Sequence, residues 1–108
     1  MERSKGTVYL AGKISGDEKY KVKFETAERA LIAAGYHVCN PAMLPQTGFS
    51  WEQLMRMSGA MLDECETVCF LPDWIHSKGA ILEMDRATKS GKKIVHFISV
   101  VNELENKK

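Results

Sequence analysis

Short continuous apolar runs alternate along this chain with segments whose apolar residues recur every three or four positions. Thr7-Val8-Tyr9-Leu10-Ala11, Thr67-Val68-Cys69-Phe70-Leu71 and Lys93-Ile94-Val95-His96-Phe97-Ile98 are of the first kind, and Tyr36-His37-Val38-Cys39 is a shorter one. Such runs, apolar without alternation, predict strands buried on both faces. Between them, Tyr20, Phe24, Ala27, Leu31 and Ala34 form one apolar stripe at helical spacing, which Gly35 stops. At the head of that helix, Ser15-Gly16-Asp17-Glu18 fits a capping box with Ser15 as N-cap. A second box, Ser50 with Gln53, is flanked by Phe49 and Leu54 as a hydrophobic staple and opens a helix to about Glu64. A third helix starts at Ser77 and ends near Ser90-Gly91, and Val100 to Leu104 makes a last short one.

Strands that alternate with helices predict an α/β fold, a parallel sheet with helices on both faces. Right-handed crossovers make 2-1-3-4 the simplest order for four strands. The expected architecture is therefore three-layered and flavodoxin/Rossmann-like, with a fifth strand left open. Ligands of such sheets sit at the carboxyl ends of the strands where the order switches. That edge gathers Gly12 to Gly16, Asn40-Pro41 and Pro72 to Ser77.

The 108 residues, 44% hydrophobic, have the size of one domain with one core. A net charge of +1, from 15 basic and 14 acidic side chains mixed throughout, gives no basic stripe for a nucleic-acid backbone. It is compatible with a small anionic ligand held by a few local groups. No apolar run is long enough to span a membrane, and the charged start leads straight into a strand with no secretory signal. Cys39, Cys65 and Cys69 read as buried thiols of a cytoplasmic protein rather than a zinc site. Neither a metal nor a cofactor is expected.

The segment from Phe70 to Glu83 carries the sharpest chemistry. Glu83 lies six residues after the proposed cap Ser77, and Gly79 and Ala80 share its helical face, leaving room for a ligand beside a carboxylate. The plainer alternative is a surface ion pair with Arg86 at i+3. Asp73 is either a general acid or base or a turn residue. Trp74 either stacks on a base or plugs the core. Tyr20 belongs to the apolar stripe but lies near enough to the helix start to tip its hydroxyl into the pocket. Helix N-termini at Ser15 and Ser77 both suit an anion, Gly12 and Gly16 allow close backbone approach, and Lys13 adds charge. Gly12-Lys13-Ile14-Ser15-Gly16 matches neither the P-loop nor the dinucleotide fingerprint.

Taken together, Val8 to Gly16, Tyr20, Phe24, Ala27-Glu28, Gly35, Val38, Asn40-Pro41, Leu71-Pro72-Asp73-Trp74, Ser77 to Glu83, Ala87 and Gly91 to Ile94 resemble the nucleoside 2-deoxyribosyltransferase-like superfamily. Within it the chain is most similar to the small DUF4406 group of unknown function. The resemblance implies cleavage of the N-glycosidic bond of a (deoxy)nucleoside or its 5′-monophosphate, with Glu83 as nucleophile. It implies that Ser77 helps bind a 5′-phosphate, that Ile14, Ser15 and Gly16 form a phosphate and sugar loop, and that Tyr20 lines the sugar pocket. It also implies a homo-oligomer whose neighbouring subunit completes the pocket. The sequence departs from that pattern at two aspartate positions, occupied here by Glu66 and Ser58, which leaves protonation of the base to Asp73, to Asp63 or to no residue. Two rival readings stand beside the enzyme: a binding module that senses or sequesters a nucleotide, and a scaffold domain whose helices make protein contacts.

Overall fold

The structure, a computed structural model, describes residues 4–106. Four parallel strands, β1 (Thr7–Ala11), β2 (His37–Cys39), β3 (Thr67–Phe70) and β4 (Lys93–His96), form one sheet in the order β2-β1-β3-β4. Val8 lies opposite Val38 on one side and Thr67 on the other, and Thr67 in turn lies opposite Lys93. Four α-helices alternate with the strands: α1 (Tyr20–Ala33), α2 (Trp51–Asp63), α3 (Lys78–Lys89) and α4 (Phe97–Asn106). This is the three-layer, Rossmann-like α/β arrangement that the pattern predicts.

Alternation along β1 divides the interior in two, because successive strand side chains point to opposite faces. Val8 and Leu10 meet Phe24, Ala27 and Leu31 of α1 and Val100 of α4. Tyr9 and Ala11 meet Leu62 of α2, Ala87 of α3, Val68 and Phe70. The central strands β1 and β3 are buried almost throughout, whereas the edge strands β2 and β4 are only half-buried. Cys65 and Cys69 are free and buried, and burial pushes their thiols up to about 11 and about 12. No helix among the described residues is long and apolar enough to cross a membrane.

Two element boundaries differ from expectation. The first helix starts at Tyr20 after Lys19, with no side-chain cap, so Ser15 and Glu18 form no capping box. Gly16 instead turns the chain at φ +81°, and the Asp17 side chain accepts the Lys19 N–H at 2.9 Å. Tertiary ties hold this loop outside the helix: the Lys23 ammonium pairs with Asp17 and Asp73 and donates to the Lys13 carbonyl at 2.7 Å. At the other end, β4 stops at His96, and α4 begins at once with Phe97 rather than at Val100. The run from Ile94 to Val101 is apolar at both strand and helix spacing, and packing of Val100 on the α1 side decides it.

Candidate functional site

The site grows out of the carboxyl end of β1 and the start of α3. Ser77 has extended backbone and its Oγ accepts the Ala80 N–H at 3.1 Å, which fixes where α3 begins. Counting from that cap, the helix turns Ala80, Glu83 and Ala87 inward, towards the sheet. Glu83 is thereby carried indoors, with only 6% of its surface exposed. Across from it, Tyr9 projects from β1 on the α2–α3 face, and its hydroxyl donates to Glu83 Oε2. Ser58 comes in from α2, buried, its hydroxyl bonded to the Met55 carbonyl at 3.3 Å.

Burial pushes Glu83 from its ordinary 4.5 up to about 7, against the hydrogen bond from Tyr9, the polar Ser58 hydroxyl and the charge of Arg86. Burial, and next the Glu83 charge, raise the Tyr9 phenol well above its usual range. The phenol therefore keeps its proton at neutral pH, and Tyr9 donates to the Glu83 carboxylate as that group ionises around pH 7. Arg86 does not pair with Glu83. Its guanidinium forms a fork with Asp63, Nε to Oδ1 at 2.8 Å and Nη2 to Oδ2 at 2.5 Å. That arrangement removes the surface ion pair as the explanation of Glu83.

A cavity of about 280 Å³ opens over this pair, close to the lower end of the range for small-molecule sites, roughly 300 Å³ upwards. Of the candidate site residues read from the sequence, Gly12, Ile14, Ser15, Ser77, Gly79, Ala80 and Glu83 line it, joined by Pro41 and His76 of the expected binding edge and by Ser58. The rest lie elsewhere. Asp73 is held between the Lys13 N–H, at 3.1 Å from Oδ1, and the Lys23 ammonium, so its carboxylate faces a loop tie and not the cavity. Lys13 and Gly16 belong to the same tied loop without lining the cavity. Tyr20 packs against the α1-side core. The Asn40 side chain is buried, accepting the Ala42 N–H at 2.9 Å and donating to Glu28 at 3.1 Å. Trp74 packs edge-on against Phe70, centroids 5.4 Å apart, on the α2–α3-side core and outside the cavity lining. The helix N-terminus expected at Ser15 does not exist; Ser77 alone of the two serines caps a helix at the cavity.

Sequence reasoning left out Tyr9, Trp51, Met55 and Lys78, all of which line the cavity. For Tyr9 the signal was present: a tyrosine inside a strand buried on both faces needs a partner for its hydroxyl. Trp51 and Lys78 are the first residues of α2 and α3, and those helix starts meet only in three dimensions. Among the described residues no group of three or more His, Cys, Asp or Glu side chains is gathered as metal ligands. Chemically, the cavity offers one buried carboxylate with one strong donor at its floor, and hydroxyl, imidazole and ammonium groups at Ser15, Ser77, His76 and Lys78.

No curated protein matches the chain. The model of one family, a domain of unknown function (DUF4406), matches residues 6–96, a span that takes in all four strands, Ser77 and Glu83. Covering most of the 108 residues, that match shows that the chain belongs to the DUF4406 family.

Proposed function

We propose that this domain cleaves the N-glycosidic bond of a (deoxy)nucleoside or its 5′-monophosphate, as a member of the nucleoside 2-deoxyribosyltransferase-like superfamily. The observation that carries the reading is Glu83: a buried carboxylate, held by a tyrosine hydroxyl, at the floor of a cavity of small-molecule size. In the proposed step one Glu83 oxygen attacks the anomeric carbon, the bond to the base breaks, and the base leaves with the bonding electron pair. A glycosyl ester of Glu83 remains, and water or a second base attacks the same carbon to release it. Such carboxylates trap oxocarbenium-like carbons in retaining glycosidases. Tyr9 would hold the spectator oxygen and stabilise the anion until it attacks. Ser77 and Ser15, at the cavity wall, suit the sugar or its phosphate.

A second reading, a nucleotide binder without turnover, is favoured by a separate observation. Glu83 is the one Asp or Glu among the described residues that line the cavity. Asp73 is taken by Lys23 and Asp63 by Arg86, so neither offers a proton to a departing base there.

Incubation with a panel of deoxynucleosides and their 5′-monophosphates, followed by chromatography of the free base, divides the two. Base release by the wild type and none by Glu83→Ala is the outcome for the enzyme. Ligand-induced thermal stabilisation without release is the outcome for the binder. Silence in both assays across the panel removes the nucleotide reading.

A further inference from the structure

One contact at the mouth of the cavity has no part in the chemistry above. Lys78, the first residue of α3, lays its ammonium over the indole of Trp51, the first residue of α2, 4.7 Å from the ring centroid. Both residues line the cavity, so the contact bridges two helix starts across its rim. Lys78 is exposed, and among the described residues it forms no ion pair. It is also the one Lys or Arg in the cavity lining. An exposed ammonium over a half-buried indole is weakly held, whereas its hydrogen bond to a phosphate is charge-assisted and stronger.

The position of Glu83 limits where an anionic group fits. A phosphate beside it would meet a like charge in a poorly screened site, so an anionic ligand turns its phosphate to the other end of the cavity. Lys78 lies five residues before Glu83 on the same helix, about 7.5 Å along the axis and at the mouth. The cationic end of the cavity is thus the Lys78 end and the carboxylate end is the Glu83 floor.

We propose that Lys78 is the group by which this site selects a nucleoside 5′-monophosphate over the unphosphorylated nucleoside, leaving the Trp51 ring for the phosphate when the ligand enters. This inference rests on the nucleotide reading of the cavity and adds to it the charge class of the ligand. Lys78 is a specificity residue here: it touches the phosphate and none of the reacting atoms.

The test uses the full chain, in which Trp51 and Trp74 are the only tryptophans. In a Trp74→Phe background, Trp51 emission is followed while a deoxynucleoside 5′-monophosphate, the matching deoxynucleoside, or inorganic phosphate is added. Calorimetry on the chain with both tryptophans gives the affinities and does not depend on that substitution. Expected are a change in Trp51 emission with the monophosphate and a smaller one with the nucleoside or inorganic phosphate. Lys78→Met should cut the preference for monophosphate over nucleoside about tenfold, the loss of one charge-assisted contact, and Lys78→Arg should restore most of it. An unchanged preference in Lys78→Met overturns the inference, as does an equal response to inorganic phosphate at the same concentration. Nucleoside binding with no gain from the phosphate overturns it while leaving the nucleotide reading intact. Failure of every ligand to bind the wild type removes both.

Discussion

On one face of the sheet, Phe24 and Leu31 of α1 and Val100 of α4 pack on Val8 and Leu10, and the buried cluster is hydrophobic throughout. On the other, α2 and α3 close over Tyr9, Ala11 and Leu62, and towards the strand ends this layer gives way to a cavity with Glu83 at its floor. Both faces are supplied by the same five-residue strand, β1, whose odd and even positions go to opposite sides. The contrast sets a hydrophobic face committed to packing against one that buries a carboxylate at a cost in stability.

The largest test of that contrast is Phe24→Ala. Phe24 is fully buried on the packed face, and truncating such a ring costs about 3–5 kcal/mol. Met55→Ala, on the cavity wall, removes a side chain already short of neighbours on one side and should cost less than half as much. Denaturant midpoints measured side by side decide the matter, and equal losses would abolish the distinction between the faces.

Next in size is the pH dependence that Glu83 gives to the cavity side. Its folded value of about 7 lies above its ordinary 4.5, so between those limits the folded state holds the proton that the unfolded chain releases. Stability contributed by this group is therefore present below about pH 4.5, falls as pH rises to about 7, and is level above. The loss is about 3 kcal/mol across the window. Glu83→Gln should remove it, so the stability difference between variant and wild type, followed from pH 4 to pH 8, isolates this one group. Tyr9→Phe deletes a donor to the anion and should move the upper edge of the window to higher pH. A difference curve that is flat in pH would mean that Glu83 is not desolvated in the folded state.

Much of this was legible in the chain. Strand order followed from short apolar runs and the handedness of crossovers, and Ser50 with Gln53 forms the predicted box, Gln53 N–H to Ser50 Oγ at 3.1 Å. Ser77 and Glu83 were legible because cap and carboxylate lie on one helix, where spacing fixes geometry. The failures have a common cause in contacts between distant residues. Ser15-Gly16-Asp17-Glu18 satisfies a four-residue rule, but Lys23 and Asp73 hold that loop, and Asp73 lies fifty residues beyond Lys23. The tie of Asp73 was hidden for the same reason: nothing local reveals that its partner is Lys23. Tyr9 was hidden inside an apolar run, since its partner Glu83 comes seventy-four residues later.

Gly12→Ala probes the junction where the two faces meet the loops. A Cβ there would lie 2.8 Å from Leu71 Cδ1, 3.0 Å from Leu71 Cβ and 3.2 Å from Asp73 Oδ1. Leu71 is buried and its Cβ as well as its Cδ1 would be crowded, so overpacking should cost about 1–3 kcal/mol. The strain falls on the loop that also carries Ile14 and Ser15 to the cavity, and ligand affinity should drop with stability. Thermal unfolding with and without a bound nucleotide checks both; a neutral substitution would mean that the β1 and β3 loops are not in close contact at Gly12.

Gly79→Ala is the smallest effect and separates the two properties most cleanly. Gly79 is the second residue of α3, where alanine favours the helix by up to about 1 kcal/mol. The added Cβ would meet Met55 Sδ at 3.0 Å, and a methionine thioether can turn aside at little cost. The fold should therefore be unchanged or slightly more stable. The cavity should not be so tolerant, because Gly79 and Met55 line it together and the methyl group takes volume from a space of about 280 Å³. Any ligand that fills the wild-type cavity should bind several-fold more weakly to the variant, while its melting temperature holds or rises. Opposite signs in those two measurements are expected on the α2–α3 face, because Gly79 borders open cavity there. A parallel fall in both would show that Met55 cannot move and that this wall is packed as tightly as the other face.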